Sequence, residues 1–311
     1  MNDLSPNAFG LASEEDRISA RQFKALAELI QLETGINIKS SKQTMLEGRL
    51  RRRARALAVS SIGDYCNLVL TGELGGDELE HLINAVTTNK TDFFREPAHF
   101  DYLTNTVLPL YAEESCRQIR CWSAACSTGA EPYTLAMLLD DFATRSRGMD
   151  YRVVATDIDT DVLATAVKGI YPREQVEPVP AHLRRRYVLE PKDPSREEIR
   201  IAPELRRRVA FGRLNLIDTT YPVDEEFHLI FCRNVLIYFD KKTQEEVVLR
   251  LCEKLMPGGY LFLGHSESIT GFSPSETKAC NTWVSMGSVS PAISAVTEEW
   301  PAVASASLLQ P

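Results

Sequence analysis

The chain has 311 residues, 44% of them hydrophobic and 25% charged, with a formal net charge of −8. That length and composition suit a globular protein of two domains, and the acidic balance argues against a general nucleic-acid binder, which needs a basic surface. Neither a long apolar run nor a basic start followed by an apolar core occurs, so no membrane insertion and no secretory signal are expected and the chain reads as cytoplasmic. Seven cysteines stand singly at 66, 116, 121, 126, 232, 252 and 280, and read as reduced packing residues rather than a disulfide framework or zinc site.

Residues 1–17 are polar and read as a disordered N-terminus. An N-terminal helical domain is expected over 18–86. Its first helix starts at Ser19 as N-cap, carries Phe23, Leu26, Ala27 and Ile30 on one face, and stops at Gly35. The second, from Ser40 or Ser41, sets Leu46, Leu50, Ala54 and Leu57 against a basic face with Lys42, Arg49, Arg52 and Arg53. Between Lys39 and Ser60 seven basic residues, Arg55 among them, face one acid, Glu47. Such a patch on an acidic protein predicts a docking surface for an acidic partner. Helices near Ile62–Leu70 and Asp77–Val86 complete a bundle.

Residues 87–115 form a linker and a connecting helix from Pro97. From 116 to 286 strands and helices alternate: strand 118–123, helix 130–143, strand 151–156, helix 160–168, strands 209–213 and 228–232, helix 243–256, strand 260–264 and a last strand near 282–286. The alternation predicts an α/β fold with a doubly wound parallel sheet. Residues 170–208 interrupt it with a small antiparallel β insertion and a helical piece near 180–186, and no glycine lies between Gly169 and Gly212. The tail, 287–311, reads as disordered.

Four segments carry chemistry. In Ile119–Met137 a strand runs into the turn Ser127-Thr128-Gly129-Ala130-Glu131 and then a helix, where backbone can approach a nucleotide-like ligand closely. Glu131 at that turn suits a cationic or hydroxyl-rich ligand and repels a pyrophosphate. The next strand ends Ala155-Thr156-Asp157-Ile158-Asp159, placing Asp157 where this fold accepts ribose hydroxyls, with Asp159 or Thr160 starting the following helix. The strand ending Phe231-Cys232-Arg233-Asn234, with Tyr238 four residues on, turns abruptly polar at its carboxyl end, which points Arg233, Asn234 and Tyr238 into the ligand crevice. Thr87–Arg95, TTNKTDFFR, has the hydroxyl, amide and guanidinium density of a lid over a polar ligand. The five histidines, at 81, 99, 182, 228 and 265, show no ligand spacing, and no metal is expected.

TTNKTDFFR, WSAACSTGAEPY, ATDID and FCRNVLIYFD, in this order behind a basic helical domain, resemble the CheR family of chemoreceptor glutamate methyltransferases over residues 18–286. The resemblance implies a Rossmann-like S-adenosylmethionine-dependent methyltransferase domain and S-adenosylhomocysteine as by-product. It implies glutamate methyl esters on the cytoplasmic methylation helices of methyl-accepting chemotaxis receptors. It suggests Asn89, Thr91, Arg95, Glu131, Asp157, Asn215, Leu216, Arg233 and Asn234 around the cofactor, with Arg95 and Tyr238 nearest the reacting groups. It also assigns the basic helix (Lys42, Arg49, Arg52, Arg53, Arg55) to docking on the receptor. Some members grip a receptor C-terminal peptide on a β-subdomain whose loop contains glycines; their absence here predicts independence from such a tether.

A substrate carboxylate, with pKa about 4.3, is already anionic at neutral pH, so this chemistry needs no general base. Two rival readings are a nucleic-acid N-methyltransferase and a non-catalytic S-adenosylmethionine sensor. Against the first, Val235-Leu236 follow Asn234 where Pro-Pro and an aromatic would be expected; against the second stands the full set of polar site residues. The chain is expected to act as a monomer.

Overall fold

The computed structural model describes residues 16–267 except 115, 147, 194, 224 and 225, together with 283–285 and 292–293. Helix α1 (Ala20–Thr34) begins at a capping box in which Ser19 and Gln22 satisfy each other's backbone amides, and ends at Gly35 with φ 74°. Helix α2 (Gln43–Ala56) follows a 3-10 turn at Ser40–Lys42 and so starts slightly later than the Ser40 or Ser41 expected. Helices α3 (Ile62–Thr71) and α4 (Gly76–Val86) complete the bundle. The apolar stripes, among them Leu26, Ile30, Leu46, Leu50, Tyr65 and Leu82, merge into one buried core. Asp16, expected in a disordered segment, instead accepts hydrogen bonds from Arg51 and from the Ile62 amide; residues 1–15 lie outside the described residues.

The connecting helix is α5 (Pro97–Tyr102), a π turn (Leu103–Val107) and α6 (Leu108–Glu113) end to end. There follow β1 (Gln118–Ala124), α7 (Ala130–Arg145), β2 (Asp150–Asp157), α8 (Thr160–Lys168), β3 (Ile170–Pro172), α9 (Ala181–Tyr187), β4 (Val188–Leu189), β5 (Glu198–Ile201), α10 (Pro203–Arg206) and β6 (Val209–Arg213). The chain then returns through β7 (Phe227–Cys232), α11 (Lys241–Cys252), β8 (Leu255–Leu263), β9 (Trp283–Ser285) and β10 (Ala292–Ile293). The main sheet has the order β6-β2-β1-β7-β8-β9-β10, parallel except for the β9–β10 pair. Helix α11 ends four residues before the Met256 expected, and β8 begins at Leu255 because a register shift between Phe227 and Leu229 accommodates Pro257-Gly258-Gly259. Ala292 and Ile293 form a strand within the stretch expected to be a disordered tail; the rest of that stretch is outside the described residues.

Both faces of the sheet are covered, which is why β7 reads as a nearly continuous apolar run. Ile119 and Cys121 of β1 pack in one core with Leu135, Ala136 and Leu139 of α7. Trp122 and Ala124 pack on the opposite face with Val247 and Leu251 of α11. The insertion is a three-stranded antiparallel sheet, β3-β5-β4, held to α7 by the Tyr187 hydroxyl, which donates to Asp140 Oδ2 at 2.7 Å. Cys66, Cys116, Cys121, Cys126 and Cys232 are free thiols. Cys252, expected to be a reduced packing residue, is disulfide-bonded.

His228, on β7, accepts from the Arg120 amide at Nδ1 (3.1 Å) and lies 3.5 Å from Cys116 Sγ at Nε2. Burial, then the nearby Arg120 guanidinium, lowers its pKa from 6.5 to about 4. The unfolded chain takes up this proton below pH 6.5 and the folded chain only near pH 4, so the stability contribution is full above 6.5 and is lost as pH falls through that window. For a half-buried ring, discounted for screening, the loss is on the order of 1–2 kcal/mol. Urea midpoints compared at pH 7 and pH 5 should fall more for the native chain than for His228→Gln.

Candidate active site

The chain order reverses between β1 and β7: from β1 it moves outward to β2 and β6, then returns to the other side at β7. At such a switch point the loops leaving the strands splay apart and open a crevice at their carboxyl ends. Here the loops after β1, β2, β6 and β7 and the segment 86–95 line a cleft that is partly open to solvent. Asn89, Thr91, Arg95, Glu131, Asp157, Asn215, Leu216, Arg233, Asn234 and Tyr238 all line it. Residues from five separate segments thus converge on one cleft.

Gly129 takes φ 93°, and a Cβ there would sit 2.9 Å from both Ala166 Cβ and the Tyr171 hydroxyl. The glycine is therefore required for close packing of the turn on α8 and β3. Ser127 N donates to Asp157 Oδ2 at 2.8 Å and Asp159 N to Asp157 Oδ1 at 3.0 Å. Burial raises the Asp157 pKa, and these amide bonds oppose the rise. A carboxylate has about four acceptor sites, so each oxygen retains capacity toward the cleft. Asp159 caps α8 through Oδ1, which accepts from the Asp161 and Val162 amides.

At the floor, Arg233 donates to Glu131 Oε2 (3.0 Å), Glu96 Oε2 (2.9 Å) and the Arg95 carbonyl (2.6 Å), with its guanidinium 5.3 Å from the Phe100 ring centroid. Glu131 also accepts from the Ser123 hydroxyl at 2.7 Å. Burial raises the Glu131 pKa and Arg233 pulls against it. For Glu96 burial acts upward too, but bonds from Asn234 and Arg233 hold the carboxyl below its ordinary value. Arg233 Nε is buried and has no hydrogen-bond partner among the described residues. Glu96 was missed by the sequence reading although it directly follows Arg95; nothing in its spacing announces a partner just past the end of β7, 137 residues on.

Five non-glycine residues around the cleft hold positive φ: Phe94 (55°), Glu96 (57°), Ala125 (62°), Ser127 (51°) and Asn234 (59°). Each such conformation costs about 1–3 kcal/mol and persists only where the surroundings impose it. For Asn234 the agent is Glu267, whose carboxylate accepts from the amides of Asn234 (2.9 Å), Leu236 (2.8 Å) and Gly264 (2.7 Å). Burial raises its pKa while these bonds oppose the rise. Glu267→Gln places an amide NH2 against backbone donors; a loss of about 2–3 kcal/mol is expected in chemical unfolding, with weaker cofactor binding as the 233–238 loop relaxes. No sequence motif singled out Glu267.

Several cleft residues are also joints between the bundle and the sheet. The Asn89 amide donates to Asp159 Oδ2 (2.6 Å), which also accepts from Thr87 (2.7 Å), and Ser127 Oγ donates to the Asn89 carbonyl. Asn215 donates to the Glu33 carbonyl at the end of α1 (2.7 Å). By contrast, half-buried Arg95 makes a hydrogen bond to the Lys90 carbonyl (2.8 Å) and no ion pair among the described residues. The mouth thus keeps an uncommitted cation.

The basic face of α2 divides in two. Lys42, Arg52 and Arg55 are exposed. Arg49 turns inward and donates to the carbonyls of Ala85, Val86 and Thr87, closing the carboxyl end of α4 beside the cleft. Arg53 makes a two-pronged pair with buried Glu78 at 2.8 and 2.6 Å, and Tyr65 donates to the same carboxylate. Arg49 and Arg53 are therefore engaged within the bundle: the helix periodicity shows which face they share, but not that α4 lies against it.

Residues 21–87 match the model of the CheR methyltransferase all-alpha domain and residues 89–284 that of the CheR methyltransferase SAM binding domain. A chemotaxis protein methyltransferase of Borreliella burgdorferi is 36% identical over 82% of this chain and 90% of its own length. That of Escherichia coli K12 is 39% identical over 83% and 88%, and chemotaxis protein methyltransferase 2 of Pseudomonas aeruginosa PAO1 is 40% identical over 82% and 89%. No helix among the described residues is long and apolar enough to cross a membrane. With the helical bundle and nearly all of the sheet domain covered by these matches, the chain belongs to the CheR methyltransferase family and is an S-adenosylmethionine-dependent methyltransferase.

Proposed function

We propose that this enzyme methylates glutamate side chains on the cytoplasmic methylation helices of chemoreceptors, leaving γ-glutamyl methyl esters and S-adenosylhomocysteine. The observation that carries the reading is a cleft with buried carboxylates in its floor, one uncommitted guanidinium, Arg95, at its mouth, and no histidine or cysteine among its described lining residues. A glutamate nucleophile, anionic above a pKa of about 4.3, needs positioning rather than deprotonation. When bound, S-adenosylmethionine supplies an activated methyl group on a cationic sulfur.

In this assignment Asp157 and Glu131 accept from the cofactor's polar groups, Thr91 and Arg95 close over it, and Leu216 gives an apolar wall. Asn89, Asn215, Arg233 and Asn234 are largely spent on the protein itself and hold the walls at their spacing. Tyr238 offers a hydroxyl to the substrate carboxylate, and Arg95 steers that carboxylate without clamping it, since tight ground-state binding of the nucleophile opposes transfer. The exposed residues Lys42, Arg52 and Arg55 form the docking surface for the acidic receptor bundle.

Activity is tested by incubating the chain with tritiated S-adenosylmethionine and purified receptor cytoplasmic fragments. Label released as methanol by alkali is the expected result, and no base-labile label on any receptor sinks the proposal. Arg52→Glu with Arg55→Glu should raise KM for receptor about 10-fold or more and leave cofactor affinity unchanged, because exposed charges govern encounter. The enzyme works without a receptor C-terminal tether: the edge strand β4 is two residues long, and the insertion has no glycine after Gly169 and before Gly212. Micromolar binding of a receptor C-terminal pentapeptide would overturn this part.

A further inference from the structure

Glu96, His99 and His265 come together behind the Arg233 loop, their potential ligand atoms all within 4.8 Å of one another. His99 is fully buried, and neither of its ring nitrogens has a hydrogen-bond partner among the described residues. An imidazole stripped of water and left without a bond is costly and calls for an explanation. His99 Nδ1 lies 3.4 Å from Glu96 Oε2. Two ligands of a tetrahedral zinc, with bonds of about 2.0–2.1 Å, stand about 3.3 Å apart. The His265 ring is 5.5 Å from that of His99, and His265 is exposed, so it is free to swing in as the third ligand and leave a fourth position for water.

We propose that Glu96, His99 and His265 form a zinc site that competes with Arg233 for Glu96. Two imidazoles and a carboxylate suit a borderline-soft divalent ion. Burial, then the neighbouring Arg233 guanidinium, keeps His99 neutral, which is the ligating form. The charges facing the cluster are Arg233 and, behind it, Glu131; two carboxylates against one guanidinium leave an excess negative charge for the cation. Glu96 Oε2 now accepts from Arg233, and Oε1 from Asn234. An ion on Glu96 draws the carboxylate from both, loosening the cleft floor. Zinc and cofactor therefore oppose each other's binding, equally in both directions.

The test titrates the full chain with Zn2+ alone by calorimetry and with Co2+ by visible absorption. One ion per chain in the micromolar range is expected, with the absorption of a low-symmetry, four-coordinate Co2+ site. His265→Ala, a change at an exposed residue outside the cleft, should weaken zinc at least about tenfold, since it removes one of three ligands. Cys116→Ser, which removes the competing Cys116–His228 pair, should leave zinc affinity unaltered. S-adenosylhomocysteine should bind the native chain more weakly with zinc present, and His265→Ala should bind it equally with and without zinc. No zinc binding by the native chain, zinc affinity undiminished in His265→Ala or lost in Cys116→Ser, or cofactor affinity indifferent to zinc would each overturn the proposal.

Discussion

Arg233→Met is expected to cost about 3–5 kcal/mol of folding stability, read as a lowered urea midpoint, and to abolish cofactor binding. The size follows from what remains behind. Glu131 and Glu96 each lose their ion pair while staying mostly out of solvent, with side chains 13% and 14% exposed. An unpaired buried carboxylate either keeps its charge at high cost or takes a proton at neutral pH, and both are unfavourable. Adding Glu131→Gln and Glu96→Gln to Arg233→Met should restore much of the stability, because the burden is the orphaned charge rather than the loss of an attraction. Activity should stay absent. A single variant that loses less than about 1 kcal/mol would show that the floor network is solvated and that the cleft is more open than its burial indicates.

Arg95→Ala should do the reverse, leaving stability nearly unchanged and cutting kcat/KM for receptor methylation by about 10- to 150-fold. Its side chain contributes one bond to a carbonyl at the rim, so folding loses little. In the assigned role it makes charge-assisted hydrogen bonds to the cofactor's carboxylate end or to the incoming substrate. Bonds of that kind are worth about 1.5–3 kcal/mol, and each 1.4 kcal/mol is tenfold. Calorimetry with S-adenosylhomocysteine separates the two: an affinity drop equal to the loss in kcat/KM places Arg95 on the cofactor, and an unchanged affinity places it on the substrate. Arg95→Lys should recover part of the loss, as it restores the charge without the fork. Full activity in Arg95→Ala would remove the residue from the site altogether.

Much of this architecture is legible in one dimension. Ser19 and Gly35 announce the ends of α1 because capping is decided within four residues of the chain. The helices, the alternation with strands, and the sudden polarity after Cys232 are local patterns, and such patterns need no knowledge of the rest of the molecule. They suffice to put Asp157, Arg233 and Asn234 at strand ends, and strand ends are where this fold opens its cleft. Where local signals compete, the reading slips: Met256 continues the apolar helical period of α11, yet β8 claims it through a register shift against β7.

Folding decided which polar groups are available. Arg52 and Arg53 are neighbours in sequence and share one basic helix, but only Arg53 meets a buried carboxylate, 25 residues away on α4. Glu267 orders the loop of Asn234 across 33 residues, and Glu96 reaches Arg233 across 137. His99 and His265 show no metal spacing in the chain and come together only when the helix from Pro97 packs against the end of β8. By itself the sequence determined the elements, their order and the side chains delivered to the crevice, because hydrophobic period, caps and turns act over a few residues. Only the tertiary structure decided which charges face the ligand and which hold the walls, because ion pairs and buried hydrogen bonds depend on distance in space, and packing sets that distance without regard to separation along the chain.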